Sequence, residues 1–186
     1  MGKIFQPEFP HVIENTIGEK LIFLGIARDE KGERIEVENY VSPGCGPAMH
    51  VHHRQDEALT VLEGRIGYQV LGGEEKFAGP GETVTFSKGT PHRFWNAGTD
   101  VLHCKGYIAP PDSVVYFLTR LYQSVNENGG RPGAFDSAWL LRKYRSEFDV
   151  FGIPGFVRNV IFPLALWIGL LAGKAKKFAD APDAAV

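Results

Sequence analysis

The stretch 44–64 concentrates residues that can bind a metal ion. It contains His50, His52 and Glu57. Side chains two positions apart in a β-strand point to the same face, so the two imidazoles would project together. Glu57 begins the next predicted strand and can supply a carboxylate oxygen to the same point. Imidazole and carboxylate together form a ligand set for a divalent transition metal.

A fourth candidate ligand, His92, lies in the segment 88–96. It follows a Gly-Thr-Pro turn at the start of a predicted strand, which can bring its imidazole across the sheet. From the pair His50 and His52 alone, a metal site and two ordinary hydrogen-bonded histidines are both open. The presence of Glu57 and His92 in suitable positions favours the metal without deciding the question.

The spacing of the first group resembles the first motif of the cupin superfamily. That motif reads G, five residues, H-x-H, three or four residues, E, six residues, G. Every fixed position of the motif is present here, at Gly44, His50, His52, Glu57 and Gly64.

The second cupin motif reads G, five residues, P-x-G, two residues, H, three residues, N. The chain matches it at Gly81, Gly89, His92 and Asn96. Ser87 stands where the family has proline, and we expect this to loosen the turn before the histidine. The two motifs are in order and sixteen residues apart, which makes the resemblance more specific than a single short pattern.

The resemblance implies a jelly-roll β-barrel with a metal inside it. It also implies one divalent transition metal, Fe, Mn, Ni, Zn, Co or Cu, held by His50, His52, Glu57 and His92. Cupins that resemble this chain include dioxygenases, isomerases, decarboxylases and non-catalytic ligand binders. The fold therefore does not select the reaction.

Strand parity predicts which residues surround the metal. Leu59 and Val61 share the inner face with Glu57, and two further pocket residues, Phe94 and Asn96, share the face of His92. This wall is largely apolar, so it favours a small, partly apolar organic molecule over a sugar phosphate, which would require several basic residues.

We therefore predict a metal-dependent enzyme of the oxygenase kind, an oxidoreductase with a small-molecule substrate. Glu57 is also the candidate catalytic base, a second role that would require it to leave the metal. Two alternatives remain open: a non-catalytic small-ligand-binding cupin, and a metal-dependent isomerase or hydrolase.

The fold class that positions these residues is mainly β, followed by an α-helical C-terminal extension. Residues 1–110 are predicted to form the barrel, because short alternating runs are separated there by glycine-rich turns. The predicted strands are 20–26, 33–41, 47–53, 57–63, 65–71, 82–87, 91–96 and 101–108.

Residues 111–178 have a helical period and are predicted to pack on the barrel or on a partner subunit. Asp112 is the predicted N-cap of a first helix. A second helix is expected to begin near Asp136 or Ser137, with Leu141, Tyr144 and Phe148 at helical spacing. Residues 179–186 are expected to be a frayed tail.

The apolar segment 154–173 is the candidate for an interface. Its uninterrupted apolar run is too short to cross a bilayer, and Pro163 should kink it. We predict burial against the barrel or in a homodimer. The alternative is an interfacial membrane helix, helped by three nearby lysines. Because burial is the prediction we favour, we do not expect a membrane partner.

Composition limits the other function classes. With 20 basic and 22 acidic residues the formal charge is −2, which argues against a nucleic-acid partner that needs a broad basic surface. Cys45 and Cys104 are too few for a disulfide framework, and the first residues do not resemble a signal peptide. We therefore expect a reducing, cytoplasmic setting.

Overall fold

The computed structural model describes residues 4–30 and 32–185. Strands account for most of the first 110 residues, and helices follow. The strands are β1 (His11–Glu14), β2 (Glu19–Asp29), β3 (Gly32–Val41), β4 (His50–His52), β5 (Asp56–Glu63), β6 (Ile66–Val70), β7 (Lys76–Ala78), β8 (Thr83–Phe86), β9 (His92–Asn96), β10 (Leu102–Ala109) and β11 (Phe148–Val150). The helices are α1 (Val114–Glu127), α2 (Ala134–Lys143) and α3 (Phe162–Leu171), with a π-helical turn (Val157–Ile161) and a 3₁₀-helix (Lys174–Phe178).

The strands form two antiparallel sheets with a cavity between them. One sheet has six strands in the order β1-β2-β3-β10-β5-β8, and the other has five in the order β11-β4-β9-β6-β7. Side chains from both sheets line the cavity. The prediction of a mainly β jelly-roll with C-terminal helices is confirmed, although the two sheets do not close on each other.

Period-two alternation explains why β3 lies where it does. Ile35, Val37, Asn39 and Val41 point inward and are buried, while the residues between them are partly exposed. Inward residues of neighbouring strands extend the same core. A strand with one buried face has its register specified, because a one-residue slip would expose every core side chain.

One strand lies in the segment that sequence analysis predicted to be helical. The second helix ends at Lys143, and Phe148 belongs to β11, where it pairs with His52. The spacing predicted a helical position for Phe148, and this prediction is wrong. The short strand satisfies backbone groups on the free edge of β4, which would otherwise lack hydrogen-bond partners.

The start of α1 also differs from the prediction. Ser113, not Asp112, is the N-cap, and it makes no side-chain capping bond. Asp112 has a positive φ of 41°, and its carboxylate accepts hydrogen bonds from Arg54 and Gln55 instead. The Ser113 hydroxyl donates to Glu147 Oε2 at 2.7 Å, so both side chains hold the helix start against other segments.

The apolar segment remains helical through Pro163. The π-helical turn continues directly into α3, because Ile161 and Phe162 at the junction both have right-handed helical φ and ψ angles. A π-helical turn therefore lies directly before the proline, which lacks an N–H for the helix. Helix α3 packs on α2 through Leu166 and Gly169; a Cβ on Gly169 would lie 2.0 Å from the Phe135 ring. Within residues 4–30 and 32–185, no helix combines the length and apolar character needed to cross a membrane.

The end of the chain makes specific contacts in place of the fraying that composition predicts. Ala185 N–H donates to Glu147 Oε1 at 2.8 Å, and the Ser146 hydroxyl donates to the Ala185 carbonyl at 2.7 Å. Lys143 also pairs with Asp183 at 2.9 Å. These bonds attach residues 183–185 to the segment that follows α2.

Candidate metal centre

The four predicted ligands lie together between the two sheets. Their ligand atoms, one from each of His50, His52, Glu57 and His92, are all within 4.8 Å of one another. His50 and His52 belong to β4, Glu57 to β5 and His92 to β9. The antiparallel register places His50 directly opposite His92, and the facing sheet supplies the carboxylate.

The backbone fixes the orientation of two of the imidazoles. His50 Nδ1 lies 2.8 Å from the Ala48 carbonyl, and His92 Nδ1 lies 2.8 Å from the Thr90 carbonyl. A carbonyl can only accept, so each Nδ1 carries the proton and donates it. Each neutral ring is therefore left with an unprotonated Nε2, the arrangement that histidine ligands commonly show around a metal.

A close contact between two acceptors shows that the cluster needs a cation. His92 Nε2 lies 3.1 Å from Glu57 Oε2, and His52 Nε2 lies 3.6 Å from the same oxygen. With Nδ1 of His92 protonated, its Nε2 is an acceptor facing a carboxylate. A proton or a metal ion must lie between the two atoms to make this contact favourable.

The cluster has the protonation state that metal ligands require. Burial, together with the nearby charges of His52 and His92, lowers the pKa of His50 to about 3. Burial also lowers the pKa of His52. For Glu57, burial raises the pKa, but the close contact with His92 and the surrounding imidazoles outweigh it and lower the pKa to about 2. At neutral pH His50 and His52 are therefore neutral and Glu57 is a carboxylate, the forms in which these groups bind a metal.

The spacing of the ligand atoms also fits an ion. Zinc–nitrogen and zinc–oxygen bonds are about 2.0–2.2 Å long, so atoms on opposite sides of such an ion lie roughly 4 Å apart. A cluster whose atoms lie within 4.8 Å of one another requires only small side-chain adjustments to coordinate it. The residues present therefore fit the metal that the sequence resemblance implies.

The turn before His92 is held firmly despite Ser87. The Lys88 N–H donates to Asp56 Oδ1 at 2.8 Å, and the Gly89 N–H donates to the His52 carbonyl at 2.7 Å. Gly89 has a φ of +77°, which explains why the motif requires glycine there. These bonds compensate for the missing proline, so the expected loosening is not seen.

The residues between the ligands are less exposed than a surface loop would be. Gln55 is 1% exposed, and its Nε2 lies 3.4 Å from Glu147 Oε2 and from Asp112 Oδ2. The polar stretch Arg54, Gln55 and Asp56 is typical of loop surface, and the burial of Gln55 departs from that pattern. The sequence contains no signal for it, because its partner Glu147 is more than ninety residues away.

A cavity of about 290 Å³ leads to the cluster. Two of the four predicted pocket residues, Leu59 and Phe94, line it. Val61 and Asn96 do not: Val61 lies in the core cluster beyond the cavity, and the Asn96 amide donates to the carbonyls of Val41 and Asp100. Parity correctly predicted that both point inward, but they lie too far along their strands to reach the cavity.

The other side of the cavity is formed by the segment after residue 111, which sequence reasoning did not connect with the site. Helix α1 contributes Phe117, Leu121 and Tyr122, and β11 contributes Phe148. We call these two elements the roof of the cavity. Strands β2 and β3 add Glu19 and other polar residues to the lining, and the sequence analysis did not identify them. A polar residue on an otherwise apolar strand face was the sequence feature that could have indicated them.

Comparison with known proteins identifies a cupin domain within the chain. Residues 39–105 match the family model for the cupin domain, and this segment holds all four clustered ligands. No curated protein matches the chain.

Similar solved structures include KdgF from Halomonas sp., a conserved protein with a double-stranded β-helix domain from Klebsiella pneumoniae, and the cupin domain of an XRE family transcriptional regulator from Enterobacter cloacae. The first is 18% identical over 61% of this chain and 99% of its own, with a TM-score of 0.48. The second is 21% identical over 57% and 78%, with a TM-score of 0.43. The third is 21% identical over 50% and 98%, with a TM-score of 0.42. Residues 39–105 are thus identified as a cupin domain.

Proposed function

We propose that the protein is a metal-dependent oxygenase that acts on a small, partly apolar organic molecule. The observation that carries this proposal is the contact at 3.1 Å between His92 Nε2 and Glu57 Oε2 inside a largely apolar cavity. The contact calls for a cation, and the cavity leaves room for a substrate beside it.

The metal would be held by His50, His52, Glu57 and His92. A bound divalent ion such as Fe²⁺ would offer open coordination positions and the redox chemistry that O₂ requires. The chain itself supplies the other requirements. The apolar walls formed by Leu59, Phe94 and Phe117 exclude water from the cluster and orient the substrate by its shape.

Glu57 is the group in the cluster best suited to accept a proton from a substrate. It is ionised at neutral pH, buried, and directed at the same point as the three imidazoles. In this second role it would act as a catalytic base after rotating away from the metal.

The composition of the lining supports the substrate class. Among the lining residues that the structure describes, Lys20 is the only basic one, and its ammonium group lies 5.8 Å from the centre of the Tyr40 ring. A phosphate group would find no cluster of arginine or lysine here. An aromatic or aliphatic molecule with one or two metal-binding oxygens suits the site better.

The proposal is tested by following oxygen consumption with an electrode. Protein loaded separately with Fe²⁺, Mn²⁺, Ni²⁺, Zn²⁺, Co²⁺ and Cu²⁺ is screened against small phenols, diketones and keto acids. We expect turnover that depends on O₂ and on one metal, and that is lost in His50→Ala/His52→Ala. Turnover without O₂ would favour an isomerase or hydrolase, and tight binding without any turnover would favour a non-catalytic binding protein.

We also propose a cytoplasmic location and a homodimer. The two cysteines support a reducing compartment, because Cys45 and Cys104 are both free thiols in the fold. The exposed apolar face of α3 supports pairing of two copies, and its test is given in the Discussion.

A further inference from the structure

The cavity has a second polar end, formed by β2 and β3 away from the metal cluster. Asn39 lines the cavity and is 5% exposed, yet its Oδ1 has no hydrogen-bond partner among the described residues. It lies on a strand face that is otherwise Ile35, Val37 and Val41. A buried amide without a partner costs free energy, so an apolar residue would serve the fold better at this position.

A buried carboxylate lies next to this amide. Glu19 is on β2, diagonal to Asn39 in the register, and is 8% exposed. Its Oε2 accepts a hydrogen bond of 2.9 Å from Asn15 Nδ2. In the described part of the chain its Oε1 accepts none. Asn15 has a structural role in the turn between β1 and β2, because its Oδ1 accepts hydrogen bonds from the N–H groups of Ile17 and Glu19. That turn does not explain why Glu19 and Asn39 are buried.

The roof completes this end of the cavity with a hydroxyl. Tyr122 of α1 is a lining residue. Burial raises its pKa well above the usual range, and the charges of Glu19 and Glu57 raise it further. Tyr122 therefore lines the same cavity as Glu19 and Glu57.

An apolar passage separates the two ends. Asn39 on β3 and Glu57 on β5 flank β10 on either side, opposite Cys104 and Ile108 respectively. They are therefore separated by two strand spacings across the sheet, roughly 10 Å, and by four residues along it, roughly 13 Å. The walls between them include Val37, Leu59 and Ile108. The cavity is therefore long and apolar, with polar groups concentrated at its ends.

We propose that Asn39 and Glu19 form a subsite for a hydrogen-bond-donating group, so that the ligand is an elongated apolar molecule with a metal-binding group at one end and a hydroxyl at the other. This rests on the proposed function for the metal end alone. Both side chains accept hydrogen bonds, and a hydroxyl donates one. A ligand that ends in a methyl group would leave the buried acceptors unpaired and would be disfavoured.

The test compares 10-hydroxydecanoate with decanoate by calorimetry on Co²⁺-loaded protein. The two probes share a carboxylate for the metal and a chain of suitable length, and they differ in the terminal hydroxyl. We expect the hydroxylated acid to bind about tenfold more tightly, the gain typical of one hydrogen bond to a charged group. In each of the single variants Asn39→Leu and Glu19→Gln, the ratio of the two affinities should fall below about twofold.

Glu38→Gln is the matched control, since Glu38 is on the opposite face of β3 beside His103 and should keep the full preference. The same ratio is measured in metal-free His50→Ala/His52→Ala protein, where both probes should bind more weakly but the hydroxyl preference should persist. Equal affinities in the wild-type protein, a preference that survives in both subsite variants, or binding of neither probe would overturn the inference. The Co²⁺ absorption spectrum reports the metal end separately, so a failure to bind Co²⁺ would count against the proposed function, and the probe ratio would still decide the subsite.

Discussion

At the level of single residues, two of the three imidazoles in the cluster are oriented by hydrogen bonds on the far side of the ring. The carbonyls of Ala48 and Thr90 each hold an Nδ1, of His50 and His92 respectively, which leaves the Nε2 of each ring free to bind a metal. Side chains held in this way lose little rotational freedom when a metal binds. The chain therefore presents a largely preorganised ligand set.

Metal content tests the cluster most directly. Wild-type protein should purify with one divalent ion per chain, whereas His52→Ala should lose at least about tenfold in metal affinity, because removing a ligand costs no less than removing the group that orients one. Elemental analysis after dialysis measures the stoichiometry.

His103→Ala is the control for this measurement. His103 stacks on Tyr40, with ring centroids 4.2 Å apart, and is not part of the cluster. Its loss should leave metal content unchanged. Full occupancy in His50→Ala/His52→Ala would contradict the assignment of the ligands.

The two thiols should differ strongly in reactivity. Burial raises the pKa of Cys104 to about 12, so at pH 8 only about one molecule in ten thousand carries the thiolate. Cys45 is half-buried and remains accessible. Iodoacetamide at pH 8 should modify one thiol per folded chain and two per chain in denaturant, as counted by intact mass. Rapid loss of both thiols from folded protein would contradict the described burial.

The sequence predicted the metal ligands better than it predicted their surroundings. His50, His52 and Glu57 follow from strand parity over eight residues, which is a local property of the chain. Gln55 could not be placed in this way, because its burial depends on Glu147 far along the sequence. Contacts between segments that are distant in sequence leave little trace in either segment alone.

At the level of elements, the longer strands and the C-terminal helices were predictable, and several of the shortest strands were not. The eight predicted strands all correspond to observed ones, and six of these have at least five residues, over which alternation is a strong signal. β1, β7 and β11, which have only three or four residues, were missed; β4 and β8 are equally short, but each lies within a longer predicted run. β11 forms only because the edge of β4 is available to pair with it.

One buried carboxylate connects three of these elements. Glu147 is fully buried, and Oε2 accepts from the Ser113 hydroxyl at the start of α1 and from Gln55 after β4. Its Oε1 accepts from the N–H of Ala185 at the chain end. Glu147 therefore connects α1, the segment after β4 and the chain end through one side chain, in addition to the backbone pairing of β11 with β4.

Removing this carboxylate should destabilise the roof. Glu147→Ala should lower the free energy of unfolding by about 3 kcal/mol, because buried donors on three segments lose their partner. Urea denaturation followed by circular dichroism measures the change. Glu74→Ala, at an exposed site, is the matched control and should stay within about 0.5 kcal/mol of wild type. Equal stability of the two variants would show that the Glu147 bonds contribute little.

At the level of the whole molecule, the apolar segment presents an exposed hydrophobic surface. Val160, Leu164, Trp167, Ile168 and Leu171 recur at helical spacing on one side of the apolar segment and are all exposed, Trp167 by 63% and Leu171 by 73%. The burial that we predicted for the apolar segment is observed only along the edge of α3 that contacts α2. A contiguous apolar stripe of this kind on a globular protein is typical of an interface.

We expect this stripe to pair two copies of the chain. Light scattering coupled to size exclusion should report a dimer for the wild type and a monomer for Trp167→Glu/Leu171→Glu, since each introduced carboxylate would be desolvated in the interface.

Lys76→Glu, on an exposed part of the distant strand β7, should remain dimeric. A monomeric wild-type protein would contradict the pairing. Co-sedimentation of that monomer with anionic vesicles, lost in the double variant, would instead support the interfacial membrane helix.

The roof over the cavity has a consequence for how this protein can change. The metal ligands all lie within residues 50–92, whereas the helix and strand that bound the opposite wall lie within residues 114–150. The metal ligands and the opposite wall of the cavity thus belong to separate stretches of the chain. Replacing α1 could retune which molecules are admitted while the ion-binding half stays untouched, which makes the roof the natural target for redesigning selectivity.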